Sequence, residues 1–308
     1  MTGERRQGSA GLPEEEGAGG GGGRGNGLAP GLYLVSTPIG SARDITLRAL
    51  DVLRAADVLA AEDTRTLRHL MDIHGVPLAG RRILAYHDHS DPAALSRLLD
   101  VLREGRSLAY ASDAGTPLIA DPGYRLVRDA AAEGLPVTAA PGASALLVAL
   151  TLSGLPSDRF LFAGFPPAKA AERRRWLAEL GGVKATLVFF ESPRRVHQIL
   201  DDIVSLWGAD GRMALCRELT KRFEEVIRGT TGEVAELVRD RDLKGEVVLV
   251  LDRTGGGMAV SDIEAELRRA LATMSIRDAA DAVAGAAGLP RREVYQLALR
   301  LGRERVGE

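Results

Sequence analysis

The sequence predicts two successive α/β units followed by a small helical tail. Three observations carry this reading. Short apolar runs alternate with amphipathic stretches from residue 31 to residue 251. Gly154-Leu155-Pro156-Ser157 breaks that alternation midway, as a hinge would. Thr254-Gly255-Gly256-Gly257 then divides it from a last stretch of helical period. At 308 residues the chain is long enough for about two domains, each with its own core.

Residues 1–30 hold 11 glycines and almost no large apolar side chains. Burial there cannot offset the entropy of ordering, so the segment reads as a disordered tail. Gly20, Gly22 and Gly25 spell G-x-G-x-x-G, but no strand precedes them, so this is no dinucleotide fingerprint. Order begins at Gly31 with a strand over 32–35. Asp44 is expected to cap a helix through Ala56, followed by a strand over 57–62. A helix over 64–74 ends at Gly75, and 82–87 is a third strand. Asp91-Pro92 is a strong helix start, a capping carboxylate followed by proline at the first position. That helix runs to Gly105. Residues 107–112 and 136–140 are strands around a helix over 121–133, and an apolar helix follows Ser144. Residues 31–153 thus form an N-terminal α/β domain with a mainly parallel sheet.

Residues 154–254 form a second α/β domain. Its strands are 160–164, 186–190, 213–217 and 246–251, and its helices 169–180, 193–206 and 231–240. Residues 223–228 fit a further strand, antiparallel to 213–217. In the tail, 255–308, helices over 276–288 and 291–301 flank Gly288-Leu289-Pro290 and resemble a helix-turn-helix. From Gly288 onward there are five arginines against three glutamates. Nucleic-acid contact and simple packing or oligomerisation are equally open for it.

A net charge of −2 gives no global nucleic-acid signal and leaves only a local basic face. Cys216 is the sole cysteine, so no intrachain disulfide forms; it reads as a packed apolar thiol in a reducing, cytoplasmic setting. No apolar run approaches the roughly 20 residues of a membrane span, and the Gly- and Glu-rich start lacks a signal peptide's apolar stretch. No Cys/His cluster suggests a metal, and no G-x-x-x-x-G-K-[ST] suggests phosphate transfer.

The chemistry is expected in three loops after strand ends: Thr37-Pro38-Ile39-Gly40, Asp113-Ala114-Gly115-Thr116-Pro117 and Pro141-Gly142-Ala143-Ser144. Open α/β sheets bind ligands outside the carboxyl ends of their strands. Small residues let backbone groups approach a ligand, and the last loop opens a helix whose N–H groups can receive a carboxylate. Asp113 and Asp121 suit the hydroxyls or ammonium of a polar ligand.

With these loops stand Ala61-Glu62-Asp63-Thr64-Arg65, His87-Asp88-His89, Asp121-Pro122-Gly123-Tyr124, Arg217-Glu218-Leu219-Thr220-Lys221 and Lys244-Gly245-Glu246. Together they resemble the tetrapyrrole-methylase superfamily over roughly residues 31–252. Within it they are similar to the bacterial branch that methylates the 2′-hydroxyl of a cytidine in small-subunit 16S ribosomal RNA. The resemblance implies a two-domain α/β fold with S-adenosylmethionine in the cleft between domains, and a homodimer. It places cofactor contacts at Pro38, Asp113, Ala114, Gly115, Thr116, Pro141, Gly142, Ala143, Ser144, Phe190, Glu191, Ser192, Gly245 and Glu246.

Methyl transfer to a ribose hydroxyl needs an in-line oxygen and gains from a base and nearby positive charge. Glu62 or Asp63, at a strand's end, can accept a proton or cap the next helix, and Arg65 can hold a phosphate or an alkoxide. His87 and His89 are either substrate hydrogen-bonding groups or merely exposed. Arg194, Arg195, Lys221 and Arg222 are the expected RNA contacts. Arg173–Arg175 reads rather as a solvated helix face, and Phe165 and Trp176 as core rather than base-stacking groups. The competing functions are a methyltransferase for a tetrapyrrole or other small molecule, and a ribosome-associated RNA-binding protein without catalysis.

Overall fold

Two five-stranded sheets organise the chain. The computed structural model describes residues 27–87, 91–253, 260–287 and 291–306. The first sheet is wholly parallel, in the order β3 (Ile83–Ala85), β2 (Val58–Ala61), β4 (Ser107–Ala111), β1 (Gly31–Val35), β5 (Val137–Ala140). Helices cover both faces, so its central strands are buried continuously rather than alternately, as in β4, where all five residues are buried. Val35 pairs with both Ala111 and Ala140, so the three strands end level and their loops emerge side by side.

The helices of this lobe are α1 (Leu47–Ala55), α2 (Thr64–Ile73), α3 (Pro92–Arg103) and α4 (Tyr124–Ala132). Asp91 caps α3 by accepting the Ala93 N–H at 2.8 Å, with Pro92 at the first turn. The expected Asp44 cap is corrected. Residues 42–44 form a separate 3-10 turn, and Thr46 caps α1 by accepting the Ala49 N–H at 3.1 Å. Of the Gly-rich start, residues 1–26 lie outside the described residues, while Leu28 packs on the first core.

The second sheet runs β6 (Phe160–Phe162), β7 (Thr186–Glu191), β10 (Val247–Leu251), β8 (Arg212–Arg217), β9 (Glu225–Thr230). Only β6 and β7 are parallel; the remaining pairs are antiparallel, including the expected β8–β9 pair. Helices α6 (Ala170–Leu180), α7 (Val196–Trp207) and α8 (Thr231–Val238) cover one face. Helix α5 (Ala145–Ser153) covers the other, with Leu146, Ala149 and Leu150 against Val188, Ala214, Cys216 and Val250. This corrects the division at residue 153: by packing, α5 belongs with the second sheet, and the chain crosses between lobes at 141–144.

Among the described residues the tail holds three helices, α9 (Val260–Leu271), α10 (Ile276–Ala287) and α11 (Arg291–Val306), of which the sequence pattern predicts the last two. Ile263, Leu267, Val283, Val294 and Leu301 give it a core of its own. The linker at 254–259 and the turn at 288–290 lie outside the described residues.

Candidate functional site

The loops after β1, β4 and β5 are laced into one edge. Thr37 and Gly115 exchange backbone hydrogen bonds of 2.9 and 3.0 Å. Thr37 Oγ1 donates to the Ser112 carbonyl at 3.1 Å, and Thr116 Oγ1 to the Ala143 carbonyl at 3.1 Å. In the loop from Ser112 to Asp121, Leu118 and Ala120 hold φ values of 72° and 62°. Such left-handed conformations cost a non-glycine residue about 1–3 kcal/mol, and here they lie just before Asp121.

The second sheet faces this edge through its antiparallel order. Val247 pairs with both Glu191 and Arg217, so the start of β10 sits beside the ends of β7 and β8. Gly245-Glu246 is thereby brought next to Glu191-Ser192 and Glu218. The lobes touch where Gly40 abuts the loop after β8: a Cβ on Gly40 would lie 2.5 Å from Lys221 Cγ and 2.6 Å from Thr220 Oγ1. Gly245 has φ 87°, and a Cβ there would overlap the Glu218 carboxylate.

Between the two edges lies a cavity of about 350 Å³. From the first lobe it is lined by Ile39, residues 114–116 and residues 119–121. Ser144 and Ala145 line it where the chain crosses. Phe165, residues 190–193 and residues 245–248 complete it from the second lobe. Of the expected cofactor contacts, Ala114, Gly115, Thr116, Ser144, Phe190, Glu191, Ser192, Gly245 and Glu246 line this cavity. Pro38, Asp113, Pro141, Gly142 and Ala143 do not; they build its frame. Asp113 Oδ1 accepts the Asp63 N–H at 2.9 Å and so ties the β2 and β4 loops together.

Two carboxylate oxygens in this lining are buried and lack a hydrogen-bond partner among the described residues: Asp121 Oδ2 and Glu191 Oε2. Glu191 is 2% exposed. Its Oε1 accepts the Ser192 N–H at 2.6 Å and the Arg195 guanidinium at 2.8 Å, leaving only Oε2 open. Burial pushes the Asp121 carboxyl up to about 7, helped by the negative charges of Glu62, Asp113 and Glu246. A buried acceptor without a donor is costly, so this apolar cavity with two of them is built for a ligand that brings donors.

The remaining expected residues are distributed as follows. Asp63 caps α2, accepting the Arg65 N–H at 2.8 Å and the Arg65 guanidinium at 2.6 Å. Those hydrogen bonds from Arg65 hold the Asp63 carboxyl down to about 2, so it is a poor proton acceptor near neutrality. Arg65 itself is 89% exposed in its side chain, its fork fixed in direction by Asp63. Arg195 is committed to Glu191 and to the Pro166 carbonyl. Lys221 is bridged to Glu218 at 2.8 Å and Glu246 at 3.0 Å. Arg194 is exposed, Arg222 lies over the Phe223 ring, and His87 is exposed. His89 lies outside the described residues.

Trp176 packs edge-on against Phe189 in the core, as expected. Phe165 departs from that expectation: it is 57% exposed, meets Phe190 edge-on and lines the cavity. Ile39, from the expected Thr37–Gly40 loop, also lines it; Ile119, Ala120, Ala145 and Pro193 line it without having been expected, and their nearness to the loop motifs is the available signal. Among the described residues, no group of three or more His, Cys, Asp or Glu could hold a metal, and no helix is long and apolar enough to cross a membrane.

Residues 31–235 match the family Tetrapyrrole (Corrin/Porphyrin) Methylases, and residues 258–302 match the RsmI C-terminal HTH domain. The Ribosomal RNA small subunit methyltransferase I of Mesorhizobium japonicum is 47% identical over 279 residues, covering 89% of this chain and 93% of that protein. The protein of the same name from Escherichia coli O157:H7 is 41% identical, covering 87% and 94%. Among solved structures, diphthine synthase superposes with a TM-score of 0.55 at 14% identity, covering 72% of this chain and 89% of its own. The uroporphyrin-III C-methyltransferase of Thermus thermophilus, complexed with S-adenosylhomocysteine, gives a TM-score of 0.50 at 21% identity, covering 72% and 97%. These two likenesses concern the fold.

Proposed function

The chain belongs to the tetrapyrrole methylase family, and from that premise we propose that it methylates 16S ribosomal RNA of the small ribosomal subunit, at the 2′-hydroxyl of a cytidine, using S-adenosylmethionine. The observation that carries the cofactor is the pair of unpartnered buried oxygens, Asp121 Oδ2 and Glu191 Oε2, in one cavity. S-adenosylmethionine brings an ammonium, a ribose diol and an amino group, donors of the kind these acceptors lack. The name shared by relatives at 40–47% identity supports the RNA.

When bound, the cofactor supplies an electrophilic methyl group on a sulfonium. Ala114–Thr116 and Gly245-Glu246 would hold it through backbone groups, and Asp121 and Glu191 through carboxylates. Phe165, Phe190 and Ile39 would keep water from it. That methyl would be supplied to a ribose oxygen, whose hydroxyl proton has to be taken up by a group of this chain. Glu62 is the base we assign to that proton, because Asp63 is held ionised and occupied by Arg65. Glu62 lies near enough to the cavity to help raise Asp121. Arg65 would hold the adjoining phosphate, with Arg194 and Arg222 as further exposed cations. A homodimer and a cytoplasmic location belong to the same reading, and light scattering of the purified protein tests the first.

The test is labelled S-adenosylmethionine with unmodified small ribosomal subunits or free ribosomal RNA, followed by mapping of ribose methylation. One methylated 2′-hydroxyl supports the proposal. Cofactor binding without any RNA methylation would favour a small-molecule acceptor, and absence of cofactor binding would remove the catalytic reading.

A further inference from the structure

The cleft has the wrong sign for a polyanion. Glu62, Asp113, Asp121, Glu191 and Glu246 gather there, while Arg195 and Lys221 are spent on internal ion pairs. The exposed Arg65, Arg194 and Arg222 are few against this acidic set, so an RNA substrate gains from further cations outside the cleft.

The helical tail supplies them. An open cavity of about 500 Å³ is lined by Arg277, Arg291, Arg292 and Tyr295. Arg277 stands in the first turn of α10, and Arg291 and Arg292 in the first turn of α11. All three arginines are exposed. Cations in a helix's first turn oppose the helix dipole, so this placement is locally unfavourable unless an anion joins them. The nearby acids, Asp278 in the same first turn of α10 among them, offset the set only in part. Asp281 is taken by Arg291, and Asp278 accepts the Ser275 hydroxyl at 2.7 Å. Arg277 and Arg292 have no carboxylate partner among the described residues. Arginine forks match phosphate oxygens, and the Tyr295 phenol adds a donor.

We propose that Arg277, Arg292 and Tyr295 form a binding site for the phosphodiester backbone of the RNA substrate, separate from the cleft where methyl transfer occurs. The site reads backbone and not sequence, since its groups are charge and fork geometry. It rests on the RNA reading proposed above.

The experiment uses the full chain and unmodified small ribosomal subunits, with affinity measured at several salt concentrations. The variants are R277A/R292A, R277K/R292K and a control, R268A/R269A, which removes equal charge from α9. R277A/R292A is expected to bind about tenfold or more weakly, with a salt slope smaller by about 1–2, one for each phosphate no longer neutralised. KM for the subunit should rise, with kcat and cofactor affinity kept. R277K/R292K should recover part of the affinity, and the control should match wild type. An R277A/R292A protein with wild-type affinity and slope overturns the site, as does a control that loses as much. Wild type that methylates no RNA overturns the functional reading and this inference with it.

Discussion

Cofactor affinity should fall as pH falls through 7, and Asp121 should be the cause. Its carboxyl is raised to about 7, first by burial and then by the charges of Glu62, Asp113 and Glu246. A ligand donor favours the ionised form, so only that fraction of the free protein is ready to bind. With a carboxyl near 7, about a tenth is ionised at pH 6 and about a hundredth at pH 5. Apparent affinity should therefore drop about tenfold and about 100-fold relative to its plateau. The sign for stability runs the other way. Between about pH 4 and 7 the folded protein holds a proton that the unfolded chain has released, so ligand-free stability declines as pH rises across that window and levels off above it. The substitution D121N keeps the shape and removes the charge. It should cost about 10–100-fold in affinity at pH 7.5, the range of a charge-assisted hydrogen bond of roughly 1.5–3 kcal/mol, and should flatten the pH dependence. Calorimetric titration with S-adenosylmethionine from pH 5 to 7.5 reads both effects. A wild type flat across that range would refute the reasoning. So would D121N retaining the slope, since the titrating group would then be another member of the acidic set.

Three other outcomes follow from packing. The substitution G245A puts a side chain against the Glu218 carboxylate at φ 87°, and should destabilise the protein by about 1–3 kcal/mol while weakening cofactor binding; a thermal melt and a titration check the two together. Arg173 is buried against Asp202 and not on the solvated face expected of Arg173–Arg175; the substitution R173A leaves Asp202 with Arg174 alone and should cost about 1–3 kcal/mol in denaturant unfolding, while cofactor affinity in the fraction that folds stays as in wild type. Cys216 is fully buried and its thiol is pushed up to about 12 by that burial, so it should resist alkylation in native buffer and react on unfolding, as mass spectrometry would show.

The first lobe was legible because its strands obey local rules. A parallel strand covered on both faces must read as a continuous apolar run, and Ser107–Ala111 and Val58–Ala61 do. Punctuation by Gly75, Gly105 and Asp91-Pro92 fixed where helices start and stop. The second lobe was legible as a set of elements and one antiparallel pair, β8 with β9. Nothing in Val247–Leu251 says that it lies between β7 and β8, because that choice is made by residues far away in sequence. Helix α5 was misplaced for a related reason: an apolar helix declares that it is buried, not against which sheet. The Asp44 cap failed because Thr46, two residues on, offers the same chemistry at the true start.

The site divides along the same line. Its backbone frame lies in Gly-, Pro- and Ser-rich loops, whose turn chemistry is local, and the sequence therefore announced it. Its electrostatics belongs to no single loop. Asp121 is raised first by burial between the lobes and then by Glu62, Asp113 and Glu246, which arrive from the loops after β2 and β4 and from the start of β10, the last of these set by the antiparallel order of the second sheet. Glu62 and Asp63 are neighbours with indistinguishable chemistry on paper. The fold separates them by giving Asp63 to the α2 N-terminus and to Arg65. The same gathering of acids that suits a cationic cofactor repels an RNA backbone. A protein of this charge pattern gains from a second grip on RNA away from the reacting atoms, and among the described residues the arginine-lined cavity of the tail offers one.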